Sequence, residues 1–181
     1  MKRPKTFKLQ QRHRWKSKPS HSICVLDRGA VRFDFPESWI VKHHPDSIKI
    51  HDGEPPDDNC VLAVSYLRLP PIDWSGLPLR ELVTVAASGG DREILERKDI
   101  VEEPRADLEL AWIEIRYIDS QEKRPAVSRI AIGRGSGIQC LVTFDFWADQ
   151  AARFEAVWKE ALRSLVLGWY VEDPTRGPVT Q

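Results

Sequence analysis

The sequence predicts an α+β fold: a mostly antiparallel β-sheet packed by a mid-chain helix and a long C-terminal amphipathic helix. Three observations carry this reading. In Ile138-Gln139-Cys140-Leu141-Val142-Thr143-Phe144-Asp145-Phe146 the apolar residues recur at every second position, the period of a half-buried strand. Phe154, Val157, Trp158, Ala161, Leu162, Leu165 and Val166 then recur at helical spacing, forming one apolar stripe. Strand-like segments dominate the chain before that point, with a single helical segment among them.

The elements follow in order. Ile23–Leu26 and Ala30–Phe35 flank Asp27-Arg28-Gly29 and read as a β-hairpin, which Pro36 ends because it has no N–H for the ladder. Trp39 is expected to fold back over the sheet edge. Ser47–His51 is a short strand, and the Asp-, Glu- and Pro-rich run from Asp52 to Asn59 an exposed loop. Cys60–Leu69 is apolar on both faces, as expected of a central strand covered on both sides, and Pro70-Pro71 stops it. Ser75 is positioned to cap a helix over Leu79–Ser88 that Gly89-Gly90 terminates. Asp99–Glu103 is a weak strand. Leu110–Asp119, Ala126–Gly133 and Ile138–Trp147 are three more, the last two joined through the glycine-rich segment Gly133–Gly137. The closing helix is expected to start at Asp149 and to end at Gly168.

The net charge of zero conceals an asymmetry. Residues 1–18 carry eight basic side chains and no acid, which leaves 19 basic against 27 acidic groups in the remainder. The chain therefore divides into a basic, flexible arm (residues 1–20), one folded domain (21–168) and an irregular tail (169–181). No apolar run reaches the roughly 20 residues needed to span a bilayer, and no apolar segment follows the basic N-terminus as in a secretory signal. A cytoplasmic location is the expectation. Cys24, Cys60 and Cys140 are widely spaced in apolar contexts and read as buried free thiols.

The order of hairpin, Phe33-Asp34-Phe35-Pro36-Glu37-Ser38-Trp39, central strand and mid-chain helix leads to Thr143-Phe144-Asp145-Phe146-Trp147, which runs into Phe154…Leu165. This order resembles the PsbP-like superfamily over about residues 23–168. That superfamily includes the extrinsic photosystem II subunit, a Ran-binding nuclear-import factor and bacterial proteins of unknown role. The resemblance implies a sheet flanked by helices and a binding or adaptor role. It carries no residue-level functional motif onto this chain.

Candidate chemistry is sparse. His43, His44 and His51, with Asp46 and Asp52 nearby, supply groups that could bind a metal and serve a small metal-dependent enzyme, but no fixed ligand spacing supports that reading over exposed loop histidines. Asp52, Glu54, Asp57 and Asp58 fail the EF-hand register and read as a solvated acidic turn. Gly133–Gly137 lies between two strands rather than before a helix and lacks a Walker lysine, so it reads as a turn. Asp34 and Asp145 alternate with strand aromatics and are expected to face solvent. With no nucleophile elbow, no cofactor motif and no histidine after His51, the chain reads as a non-enzymatic domain that binds a protein partner through its sheet face or loop rim. Trp74, Trp147 and Arg134 are the candidate contact residues, because partly exposed tryptophans anchor partners at low entropic cost. The alternative is nonspecific nucleic-acid binding by the arm, through Lys2, Arg3, Lys5, Lys8, Arg12, Arg14, Trp15, Lys16 and Lys18.

Overall fold

A computed structural model describes residues 8–179 except Asp91. In chain order the strands and helices are β1 (His21–Leu26), β2 (Val31–Pro36), β3 (Ile40–His43), β4 (Ile48–His51), β5 (Cys60–Arg68), α1 (Leu79–Ala87), β6 (Glu93–Arg97), β7 (Val101–Glu102), β8 (Glu109–Ile118), β9 (Pro125–Gly135), β10 (Ile138–Trp147), α2 (Ala151–Arg163) and β11 (Val166–Leu167). The large sheet has the order β3-β4-β5-β10-β9-β8-β6, with β7 also on β8, and a three-stranded sheet has the order β1-β2-β11. Every pairing is antiparallel.

The apolar alternation of β10 drives the main core. Ile138, Cys140, Val142, Phe144 and Phe146 point to one face, where α2 lays down Phe154, Trp158, Ala161 and Leu162 and the small sheet adds Val31, Phe33 and Phe35. Phe144 lies 5.5 Å from Phe154 edge-to-face and 6.2 Å from Trp158 in a stack. On the opposite face α1 buries Leu79, Val83 and Ala87 against Ala111, Ile113, Ile115, Ile130 and Ile132 of β8 and β9. These isoleucines hold the helix over one half of the sheet.

Several expectations need correction. Gln150, after a 3-10 turn over Ala148–Gln150, occupies the N-cap position of α2, while Asp149 pairs with Arg124 at 2.7 Å. The helix stops at Arg163 rather than Gly168, because Val166 and Leu167 leave it to pair with β2. Gly168, at φ 67°, passes so close to Ser136 that a Cβ would sit 2.4 Å from the serine's. Pro78 rather than Ser75 precedes the first turn of α1, with no side-chain cap. The turn between β9 and β10 is only Ser136-Gly137, and Gly133 and Gly135 belong to β9. Strands β3 and β6 carry no sequence signal, since β3 is four residues long and β6 is exposed throughout.

The N-terminal segment and the tail are laid against each other. The Gln10 N–H donates to the Thr175 carbonyl at 3.1 Å and that of Arg14 to the Arg176 carbonyl at 2.6 Å. Trp15, only 5% exposed, donates its indole N–H to the Pro174 carbonyl at 2.7 Å and meets Trp169 edge-to-face at 5.9 Å. The Arg32 guanidinium on β2 holds the Lys16 carbonyl at 2.7 Å and the Ser164 carbonyl at 3.0 Å.

Candidate functional site

The two faces of the large sheet are covered unequally. α2 and the small sheet close one face over β4, β5, β10 and β9, whereas on the other face α1 packs mainly on β8 and β9, reaching β10 at Leu141. Strands β10, β5, β4 and β3 therefore present a strip without a helix over it, among the described residues. The cross-strand register sets its surface: Thr143 lies beside Ala63 and Ala63 beside Lys49, while Asp145 lies beside Val61 and Val61 beside His51. Val61, Ala63, Ser65, Leu141 and Thr143 are half-buried here and Leu67 is 50% exposed. This explains why Cys60–Leu69 reads as apolar on both faces; helix cover exists on only one.

α1 forms one wall of the strip. Arg80 reaches Glu102 on β7 at 3.1 Å, so that flank of the helix faces the sheet edge. Helical geometry then turns Leu82 and Ala86 to the opposite flank, toward Leu141, with which they share the second core cluster. Val85, 71% exposed, crowns this side.

At one end of the strip lies a pocket of about 210 Å³, lined by Tyr117, Asp119, Asp145, Trp147, Val61 and the loop at Pro56–Asn59. Asp145 is not the solvent-facing residue its alternation suggests. Its Oδ1 is sealed from solvent and has no hydrogen-bond partner. Burial pushes its pKa up, against the Ser128 hydroxyl and the charges of Arg92 and Lys49, which pull it down. Asp145 is half-buried, whereas Asp34 on β2 is fully buried, its pKa raised by burial against the Arg32 guanidinium 2.7 Å away. The signal for both was present only as an acid flanked by two phenylalanines, which alternation assigns to the wrong environment.

Trp147 borders this pocket, with the Arg124 guanidinium 4.6 Å above its ring. Trp74 is half-exposed where β5 ends and the loop to α1 begins, its indole N–H on the Pro70 carbonyl at 3.1 Å. The two candidate tryptophans thus stand at opposite ends of the open strip. Arg134 is different. Only 8% exposed, it bonds Glu109 at 2.8 Å and the Leu77 carbonyl at 3.0 Å, so it clamps the approach to α1.

The structure separates the three histidines. His43 and His44 sit at the β3–β4 turn, on the rim of an open cleft of about 1080 Å³ whose Asp27, Arg68 and Tyr66 are already joined to one another. His51, at the far end of that hairpin, is buried with Nδ1 2.8 Å from Asp58. No group of three or more His, Cys, Asp or Glu is placed to hold a metal among the described residues. Nor is the acidic turn fully solvated: Asp52 is buried and accepts the N–H groups of Asn59 at 2.7 Å and Cys60 at 3.2 Å. All three cysteines are buried free thiols, and burial pushes the Cys140 thiol up to about 12. Lys2, Arg3 and Lys5 lie outside the described residues. Lys8, Arg12, Arg14, Lys16 and Lys18 are exposed, but Trp15 is not available to stack on bases.

Sequence reasoning missed Arg129. It lies inside β9 with its side chain 6% exposed, bonded to Glu114 at 2.7 Å and to Glu155 of α2 at 2.6 Å. The rings of Trp112, Phe146 and Trp158 surround its guanidinium at 5.4–6.0 Å. An arginine among the apolar residues of this strand is visible in the sequence, but not its depth.

Residues 22–171 match the model of the Alr1449 family. The chain belongs to that family. It is 43% identical over 173 residues to the uncharacterized protein alr1449 of Nostoc sp. PCC 7120, covering 95% of this chain and 90% of that relative. Among solved structures, cyanobacterial PsbP (CyanoP) from Synechocystis sp. PCC 6803 shares the fold with a TM-score of 0.56 at 12% identity, over 83% of this chain and 94% of that one. The Ran-binding protein Mog1p of Saccharomyces cerevisiae matches at a TM-score of 0.47 and 12% identity, over 81% and 95% of the two chains. This Alr1449-family member thus has a PsbP-like α+β fold. Among the described residues no helix is long and apolar enough to cross a membrane.

Proposed function

We propose that this chain is a non-enzymatic binding or adaptor domain that engages a protein partner through the open strip of β10, β5, β4 and β3. The observation that supports the reading is the unequal covering of the sheet. Half-buried Val61, Ala63 and Leu141 and exposed Leu67 lie there among Ser65, Thr143 and Lys49, beside the flank of α1, the mixed polar and apolar make-up usual for interfaces between separately folded proteins. Trp74 and Trp147 are its expected anchors, one at each end. Exposed basic residues between Lys8 and Lys18 supply long-range steering toward an acidic surface. The three buried free thiols fit a reducing compartment, and we place the protein in the cytoplasm.

The test is affinity capture from native lysate with nuclease present, using the wild-type chain and Ala63→Glu/Leu141→Glu. A species held by the wild type and lost by the variant, with the variant's circular dichroism and melting unchanged, supports the reading. Capture that survives the double substitution, or that nuclease abolishes, contradicts it.

A further inference from the structure

The free edges of the two sheets are not alike. β3 is four residues long and carries Lys42. β6 carries Glu93, Glu96 and Arg97, and its register on β8 slips between Ile94 and Glu96. β7 and β11 have two residues each. Shortness, charge and a slipped register are the usual guards against an unwanted added strand. β1 has none of them. His21-Ser22-Ile23-Cys24-Val25-Leu26 holds no lysine, arginine, acid or proline, pairs with β2 without a bulge and is the outer strand of the small sheet.

The ladder fixes which backbone groups this edge leaves over. The Glu37 N–H donates to the Ser20 carbonyl at 3.1 Å, so Ser20, and with it Ser22, Cys24 and Leu26, turn their backbone groups toward β2. On β2 the Asp34 N–H points the other way, to the Ser164 hydroxyl at 2.8 Å, as its place opposite Ile23 requires. Ile23 and Val25 therefore turn N–H and C=O outward, and no hydrogen bond reaches these groups among the described residues. His21 is outward too, but its N–H is used by the Lys18 carbonyl at 3.1 Å.

We infer that this edge pairs with the same edge of a second copy, antiparallel, about a two-fold axis at Cys24. In that register the N–H and C=O of Ile23 meet those of Val25 of the second copy, and the reverse, so every outward group of the two residues is satisfied. Centring on Ile23 instead sets Val25 opposite His21, whose N–H is spent, and strands the Val25 carbonyl. Centring on Val25 sets Ile23 opposite Asp27, which has left the strand with φ 44°. Charge selects the same register. It puts Arg28 of one copy opposite Ser20 of the other, next to Glu37 across the β1–β2 ladder. Arg28 and Glu37 are both exposed, and neither makes an ion pair within its own copy among the described residues. The two-fold joins these opposite charges at both ends of the contact, which a second copy supplies and an unrelated strand does not. The edge belongs to the layer on the opposite face of the large sheet from the open strip, so the inference does not depend on that strip.

The experiment is sedimentation velocity on the full chain from micromolar to millimolar concentration, with amide hydrogen exchange read by NMR at both ends of the range. The expected result is a concentration-dependent dimer in which the Ile23 and Val25 amides, fast in the monomer, become protected, while those of Cys24 and Leu26 are slow throughout. Val25→Pro removes an outward N–H and none from the β2 ladder, and is expected to stay monomeric. Arg28→Glu and Glu37→Arg are each expected to weaken the dimer about fivefold, and together to restore it. A wild-type chain that stays monomeric overturns the inference, even where benzoylphenylalanine at position 23 captures some other protein. So does a dimer whose Ile23 and Val25 amides still exchange freely. A dimer that neither single charge reversal weakens, or that the double reversal fails to recover, overturns it as well. Should Val25→Pro fail to fold, the amide exchange and the charge reversals still decide.

Discussion

Arg129 on β9 and Glu155 on α2 meet at 2.6 Å and tie the helix to the sheet across the main core. The guanidinium also bonds Glu114 on β8 at 2.7 Å, so one side chain joins two strands and a helix. A buried arginine of this kind is not replaceable by truncation, because its removal strands the carboxylates and leaves a void among three aromatic rings. Arg129→Ala is expected to lose about 3 kcal/mol of stability, measured by urea denaturation, the low end for a broken buried pair since Glu155 keeps Lys159 and Glu114 keeps Lys98. A loss under 1 kcal/mol would show the network to be incidental.

The tail and the N-terminal segment hold each other through Trp15. Trp15→Ala empties a slot walled by Trp169 and Gly177, where even a Cβ on the glycine would come within about 3 Å of the indole. Loss of a buried tryptophan costs about 3–5 kcal/mol where the site cannot collapse, and the prediction for this peripheral slot is about 3. A melting curve of Trp15→Ala superimposed on the wild type would refute the packing role.

The legibility of the chain follows from which forces are local. β10 and the helix stripe at Phe154–Leu162 were readable because period and burial agree along each element. The hairpin was readable because its turn has local chemistry. Asp27, Arg28 and Gly29 all take positive φ, a turn conformation that glycine and aspartate favour. What failed depends on distant neighbours. The helix end at Arg163 is set by the pairing of Val166 with Arg32, far away in sequence. Asp34 and Asp145 alternate as surface residues do, and only tertiary packing buries the first and half-buries the second. Trp147 and Trp74 stand out by composition as candidate contacts. The strip between them was hidden, because an apolar face looks the same in sequence whether or not a helix covers it.

Arg134 is almost wholly buried and supports the approach to α1. Arg134→Ala should cost about 1–2 kcal/mol in chemical denaturation, from lost charge-assisted bonds to a part-buried carbonyl and a largely exposed Glu109. Partner capture by the folded variant should be unchanged. Loss of capture at full stability would restore Arg134 to the contact surface.

Asp145 sets a pH dependence with a definite sign. Its carboxyl is raised in the folded chain, so between its unfolded value near 3.8 and its higher folded value the native state holds more protons, and this group's contribution to stability falls as pH rises. Glu114 and Glu155 act oppositely. Burial opposes their ionisation, but the ion pairs with Arg129 and their lysines outweigh it and lower both pKa values. Their contribution is present above about 4.5 and is lost as pH falls through the folded values. Asp145→Asn is therefore predicted to melt higher than wild type at pH 7, with the gain disappearing toward pH 3.5. A variant less stable than wild type at pH 7 would mean that the charge is satisfied within the fold.

The central claim is that the helix-free strip is where a partner docks. The most direct measurement is in-cell photocrosslinking with benzoylphenylalanine substituted at Thr143, in the middle of the strip, and at Lys159, exposed on α2 on the opposite side of the sheet. The account predicts a discrete, nuclease-resistant protein adduct from position 143 and none of that mass from position 159. No adduct at 143, or the same adduct from both positions, would contradict it.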